Sequence, residues 1–121
     1  MMLEFYQIIL ILFIHWFADF VLQTDKQAKG KSSSNFLLMQ HCLVYSGCWI
    51  PFLYYEASYR LNYLGLFIPI TFISHFITDY ITSRINSYYW KQGNSHNFFV
   101  SVGFDQFLHY TQLFLTFVLL K

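Results

Sequence analysis

The chain has 121 residues, room for one domain, and is 56% hydrophobic, 23% aromatic and only 11% charged, against about 25% charged in an ordinary soluble domain. Seven basic and six acidic residues cannot cover the surface of a water-soluble protein this small, and the net charge of +1 carries no polyelectrolyte signal. A disordered chain, a nucleic-acid-binding tail and a conventional cytosolic enzyme are thereby excluded.

Four apolar stretches, at roughly 3–23, 36–55, 62–83 and 98–120, account for most of the chain. Each is about 20 residues, or about 30 Å as a helix, which is the thickness of a bilayer core. They predict an all-α fold: one integral-membrane domain over residues 1–121, built as an antiparallel four-helix bundle. The first stretch has Glu4 and no basic residue before it, and no A-x-A-like site after it, so it reads as a span rather than a signal peptide. Loop 24–35 follows, with three lysines (Lys26, Lys29, Lys31) against Asp25. Gly30-Lys31-Ser32 matches the end of a phosphate-binding loop, but the upstream glycine position is Asp25 and no strand precedes it. Ser32-Ser33-Ser34-Asn35 is a turn able to cap the second helix. Within that helix Cys42 and Cys48 fall on different faces and read as small apolar fillers rather than a disulfide.

The middle link sets Arg60 against Glu56. Loop 84–97 carries Arg84 and Lys91 with no acid, and Lys121 follows the last span. The positive-inside rule then makes loops 24–35 and 84–97 cytoplasmic and places both termini outside. Tyr54, Tyr55, Tyr59 and Tyr63 would form an outer aromatic belt, with Tyr88, Tyr89 and Trp90 at the inner interface.

Apart from Glu4 at the edge of the first stretch, three of the six acids lie inside spans, each four residues from a histidine: His15 with Asp19, His75 with Asp79, and Asp105 with His109. Residues four apart share a helix face, and intramembrane carboxylates cost at least a few kcal/mol each, which marks them as functional. With the predicted topology, all three aspartates fall nearer the cytoplasm and their histidines about 6 Å deeper. His41, on the second span, falls at a similar height. Polar stripes support this layer: Thr71, His75, Thr78, Asp79 and Thr82 on the third span, and Ser101, Asp105, His109, Gln112 and Thr116 on the fourth. Gln23 and Gln106 read as interhelical hydrogen-bonding residues, and His96 as a solvated loop residue.

Imidazole and carboxylate together suit a divalent metal, zinc first, with manganese or iron as alternatives. His15, Asp19, His41, His75, Asp79, Asp105 and His109 are the candidate ligands. Seven exceed the three that one catalytic zinc needs, so either two ions share the cluster or the spare carboxylates serve as outer partners and base. Asp79 or Asp105 is the candidate general base. This chemistry predicts a metal-dependent hydrolase acting on the ester or phosphoester of a lipid or lipid-linked substrate from the cytoplasmic leaflet. Arg84, Lys91, Lys26 and Lys29 ring that side and are placed to meet a phosphate. The rival readings are a small ion transporter or proton relay using the same cluster, and a non-catalytic membrane factor that binds a host protein. No nucleic-acid partner is expected, and a four-span chain this short is a candidate homodimer.

The run His15-Trp-Phe-Ala-Asp19-Phe-Val-Leu-Gln23-Thr-Asp25, followed by His41, by His75-Phe-Ile-Thr-Asp79 and by Asp105-Gln106-Phe-Leu-His109, resembles a family of small bacterial and phage membrane proteins catalogued as domain of unknown function 3307. The resemblance covers nearly the whole chain and implies the bacterial inner membrane as its location, but brings no established activity. The pattern is more distantly similar to inner-membrane proteins described as metal-dependent hydrolases, which implies the same reaction class.

Overall fold

A computed structural model describes residues 3–56 and 61–120. Tyr59, Arg60, Lys121 and the Tyr63 side chain, to which the sequence reading gave roles, lie outside the described residues. The described elements are all helical: α1 (Phe5–Trp16), continued by a π-helical turn (Phe17–Val21), then α2 (Asp25–Gly30), α3 (Asn35–Gly47), α4 (Ile50–Glu56), α5 (Leu61–Lys91) and α6 (Ser95–Leu120).

Local chemistry sets most of these boundaries. Thr24 caps α2 by accepting from the Gln27 amide, and the Gln27 side chain returns the bond to the Thr24 amide, a reciprocal capping box. Residues 24–35 are therefore not the open loop expected, because this cap stabilises a helical turn and a half within them. Ser34 accepts from the Leu37 amide at 3.3 Å and caps α3, as its sequence position predicts. Gly30 ends α2 directly against α3, where the tip of the Leu37 side chain lies in the space a Cβ would take, and residues 31–33 make the turn. The second apolar stretch is broken after Gly47. Pro51, near the start of α4, has no N–H to return to the Gly47 carbonyl, so the helix restarts there rather than running through.

The largest departure is at α5. The expected loop 84–97 is helical as far as Lys91, because nothing between Arg84 and Lys91 interrupts a helix. Arg84 reinforces it by donating to the Tyr80 carbonyl at 2.7 Å and lying over the Tyr80 ring. Gly93 ends it in a left-handed conformation (φ 67°). The Asn94 amide reaches the Tyr89 carbonyl and the Gly93 amide the Trp90 carbonyl, a Schellman closure. Asn94 then caps α6 through the Asn97 amide at 3.1 Å. His96 consequently sits in the exposed first turn of α6 rather than in a loop. Along α5 and α6, Trp90 meets Phe98, Thr82 meets Asp105, His75 meets His109 and Thr71 meets Gln112, so this pair runs antiparallel.

Two segments are long and apolar enough to cross a membrane, Asn35–Glu56 and Gly65–Lys91; Phe5–Val21 is apolar but shorter. The apolar core is Ile11, Ala18, Tyr45, Trp49, Phe52, Leu53, Phe67, Leu113 and Phe117. It occupies the end where α4 and the first half of α5 meet, whereas the predicted polar layer is buried beyond it. The outward faces are the reverse, with Phe13, Ile73, Ile77, Phe104, Phe107 and Leu115 exposed. Glu56 is bound to α1, accepting from Gln7 at 2.9 Å and Tyr6 at 3.2 Å.

Gly93→Val forces a β-branched residue into the left-handed region. It is expected to lower unfolding stability in detergent by about 1–2 kcal/mol, and Gly93→Asn, which tolerates that conformation, by distinctly less.

Candidate metal centre

Each half of the cluster is held by a different backbone device. The π-helical turn is closed by the Leu22 amide on the Phe17 carbonyl at 3.0 Å. It widens the helix around Asp19, and π-turns of this kind recur at functional sites. On α3, His41 and Tyr45 share one face; on α5, His75 and Asp79 do; on α6, Asp105 and His109 do. All seven predicted residues are buried, none more than 7% exposed.

Four of them converge atom to atom. His41 Nε2 lies 3.1 Å from His75 Nε2 and 2.9 Å from Asp19 Oδ1. His75 Nε2 is 3.5 Å from the same Asp19 oxygen, and both imidazole nitrogens are 3.4 Å from Asp79 Oδ2. These are five of the six edges of a tetrahedron. A four-coordinate zinc with bonds of about 2.0–2.1 Å has ligand-to-ligand edges of about 3.3 Å. The four residues are thus arranged as the coordination shell of one small cation, and Asp19, His41, His75 and Asp79 together could hold it.

A second group, Asp19, Asp105 and His109, adjoins the first and shares Asp19 with it. Asp79 also reaches it: Oδ2 faces the tetrahedron while Oδ1 lies 3.0 Å from His109 Nε2. His109 Nε2 is in turn 3.2 Å from Asp105 Oδ1. Thr82 donates to that oxygen at 2.5 Å, and Gln106 donates to the other at 3.0 Å.

His15 stands apart from both groups. Its ring nitrogens meet the Tyr45 hydroxyl at 2.8 Å and Gln106 Oε1 at 2.6 Å, with Asp19 at 3.7 Å. Gln106 therefore links α6 to α1, the interhelical role its position predicts; the Gln23 carbonyl oxygen is buried without a partner among the described residues. His75 is oriented by stacking: its ring lies between Tyr45, 3.8 Å away and 18° from parallel, and His109, 4.3 Å away and 24° from parallel. Its Nδ1 has no hydrogen-bond partner among the described residues.

Sequence reasoning missed Lys31 and Tyr45. Lys31 follows Gly30 into the site and donates from Nζ to Asp79 Oδ2 at 2.8 Å, with its side chain only 16% exposed. Burial works against its ammonium, but Asp79, Asp19 and Asp105 outweigh that and hold the group above the ordinary lysine range. Nothing in the sequence separates it from the other loop lysines. Tyr45 was findable, four residues after His41 on the same face.

The family model described as "Protein of unknown function (DUF3307)" matches residues 7–121, nearly the whole chain and every residue of the cluster. The chain belongs to this family. No curated protein and no solved structure matches, so membership in DUF3307 brings no activity with it, and the similarity to metal-dependent hydrolases gains no support from these comparisons.

Removing one partner of a buried ion pair strands the other, at about 3–5 kcal/mol. Lys31→Met is therefore expected to destabilise cation-free protein by roughly 3 kcal/mol. The loss should shrink when zinc or manganese is added, since a bound cation neutralises Asp79 in its place. Denaturant unfolding with and without metal measures both arms.

Proposed function

We propose that the chain is an integral-membrane antiparallel four-helix bundle and a metal-dependent hydrolase, acting on a lipid or lipid-linked phosphoester from the cytoplasmic leaflet of the bacterial inner membrane. The observation that carries the catalytic reading is the tetrahedron of His41, His75, Asp19 and Asp79 with a further carboxylate and histidine at its edge. The inside-out distribution supports membrane insertion: seven buried His and Asp side chains within, and exposed Phe, Ile and Leu without.

A divalent cation in this shell supplies a lowered water pKa and stabilises developing negative charge. Zinc suits the four-coordinate N and O set, with manganese or iron as alternatives. Asp79 acts as a ligand, because both its oxygens already face histidines. That leaves Asp105, held by hydrogen bonds from Thr82 and Gln106 at the edge of the tetrahedron, as the proposed general base toward an attacking water. His15 fixes Tyr45 and Gln106, and so the rings and carboxylate they touch. Lys31 offers charge on the α2 side.

A polar chain running from Gln112 to Thr71 and Thr116 favours the ion-transport reading. Beyond it, however, Trp49, Phe52, Phe67 and Phe117 pack ring against ring, with centroids 5.6–6.1 Å apart where they meet. An apolar layer of that kind makes a one-sided site rather than a through path.

Metal-loaded protein in detergent micelles is expected to release product from short-chain lipid phosphoesters, to lose turnover on chelation and to recover it on refilling. Asp105→Asn should lower kcat by about 10²-fold or more, the usual worth of a general base, while keeping its metal. Turnover indifferent to chelation and to Asp105→Asn, or none from metal-loaded protein, contradicts the reading.

A further inference from the structure

Between α2, the turn that follows it and the last third of α5 lies a cavity of about 450 Å³, lined in part by Lys29, Lys31, Ser32, Ser83, Asn86 and Trp90. Its size is that of a pocket for a small organic ligand rather than a bare ion. Among the described residues two lysines and no acid face it.

Two of the lining side chains carry a buried polar atom that has no hydrogen-bond partner among the described residues. Ser83 is only 7% exposed, and among the described residues its hydroxyl has no hydrogen-bond partner; the Asn86 amide oxygen is buried and equally unpartnered among them. A buried polar group left unsatisfied costs roughly 1–3 kcal/mol, so such groups are normally paired by protein, water or ligand. The Asn86 amide can turn over to present Nδ2 as a donor. The remaining wall is aromatic, where Trp90 meets Phe98 at 5.1 Å.

Lys31 belongs to both places. It lines the cavity, and its Nζ is 2.8 Å from Asp79 Oδ2. An ammonium has three donors, so one bond to Asp79 leaves two for an anion on the cavity side. A group held there lies one side chain from the tetrahedron.

We propose that this cavity is a subsite for the phosphate of an organic phosphoester, held by Lys29, Lys31 and the Ser83 hydroxyl, with the organic portion against Trp90 and Phe98. The inference deepens the hydrolase reading by naming the group that the substrate presents. Phosphate in this place comes either from a lipid head group or from a soluble phosphate.

Titration calorimetry on the detergent-purified chain, as isolated and again after chelation, tests it with three probes: dihexanoyl phosphatidic acid, inorganic phosphate and dihexanoylglycerol. The phosphatidic acid is expected to bind at least tenfold more tightly than dihexanoylglycerol. Lys29→Gln and Ser83→Ala should each weaken it severalfold. Ser83→Ala should keep or raise the Tm, because its hydroxyl has no hydrogen bond to lose among the described residues. Inorganic phosphate binding as tightly as the lipid supports the site and assigns it to soluble phosphate; much weaker binding supports it and assigns it to a head group. Equal affinity for dihexanoylglycerol, affinity indifferent to both substitutions, or no binding of either phosphate probe overturns it. Metal content and turnover play no part in this readout, so the cavity and the hydrolase reading can fail separately.

Discussion

Three carboxylates buried in one layer repel one another, and each has left water at a cost of several kcal/mol. Asp19, Asp79 and Asp105 are in that position, and among the described residues Lys31 is the one lysine that pairs with any of them, at Asp79. One ammonium against three carboxylates leaves the layer short of positive charge unless histidines protonate or a cation binds. The imidazoles of His41, His75 and His109 turn Nε2 toward the carboxylates, an arrangement that could hold a divalent ion. The rest of the structure follows from satisfying this layer.

The backbone devices around it make sense on those terms. A π-turn repositions Asp19 without breaking the helix that carries it. The turn at residues 31–33 brings Lys31 in from the side, with Gly30 packed closely against Leu37. The break before Pro51 separates the half of the second apolar segment that carries His41 and Tyr45 from the half that contributes Phe52 and Leu53 to the core. Stacking on Tyr45 and His109 then fixes the plane of the His75 ring, whose Nδ1 has no hydrogen-bond partner among the described residues.

The sequence carried the cluster because its signal is periodic and chemical together. Histidine and aspartate four apart in three apolar stretches can hardly avoid facing a common interior, and His41, His75 and Asp79 are found together. The helix ends were less legible. Arg84 and Lys91 look like loop charges, yet they ride on α5, because a lysine or arginine can point to solvent from a helix as well as from a loop. The π-turn has no signal, since Phe17–Val21 contains neither glycine nor proline. Lys31 was hidden by a competing explanation: three loop lysines satisfy the topology rule equally well, and only the turn at residues 31–33 singles one out. His15 shows the limit of spacing. It shares a face with Asp19, but its two nitrogens are bonded to Tyr45 and Gln106, which no i, i+4 rule can foresee.

The central claim is that the converging His and Asp atoms bind a cation, and the most direct test is metal content per chain. Wild type and Asp79→Ala would be purified side by side in detergent, refilled separately with zinc, manganese or iron, and freed of loose metal before elemental analysis. The account predicts at least one retained equivalent in the wild type and its loss in an Asp79→Ala protein that is still helical. No retained metal in the wild type after any refilling, or equal retention in both proteins, would contradict it.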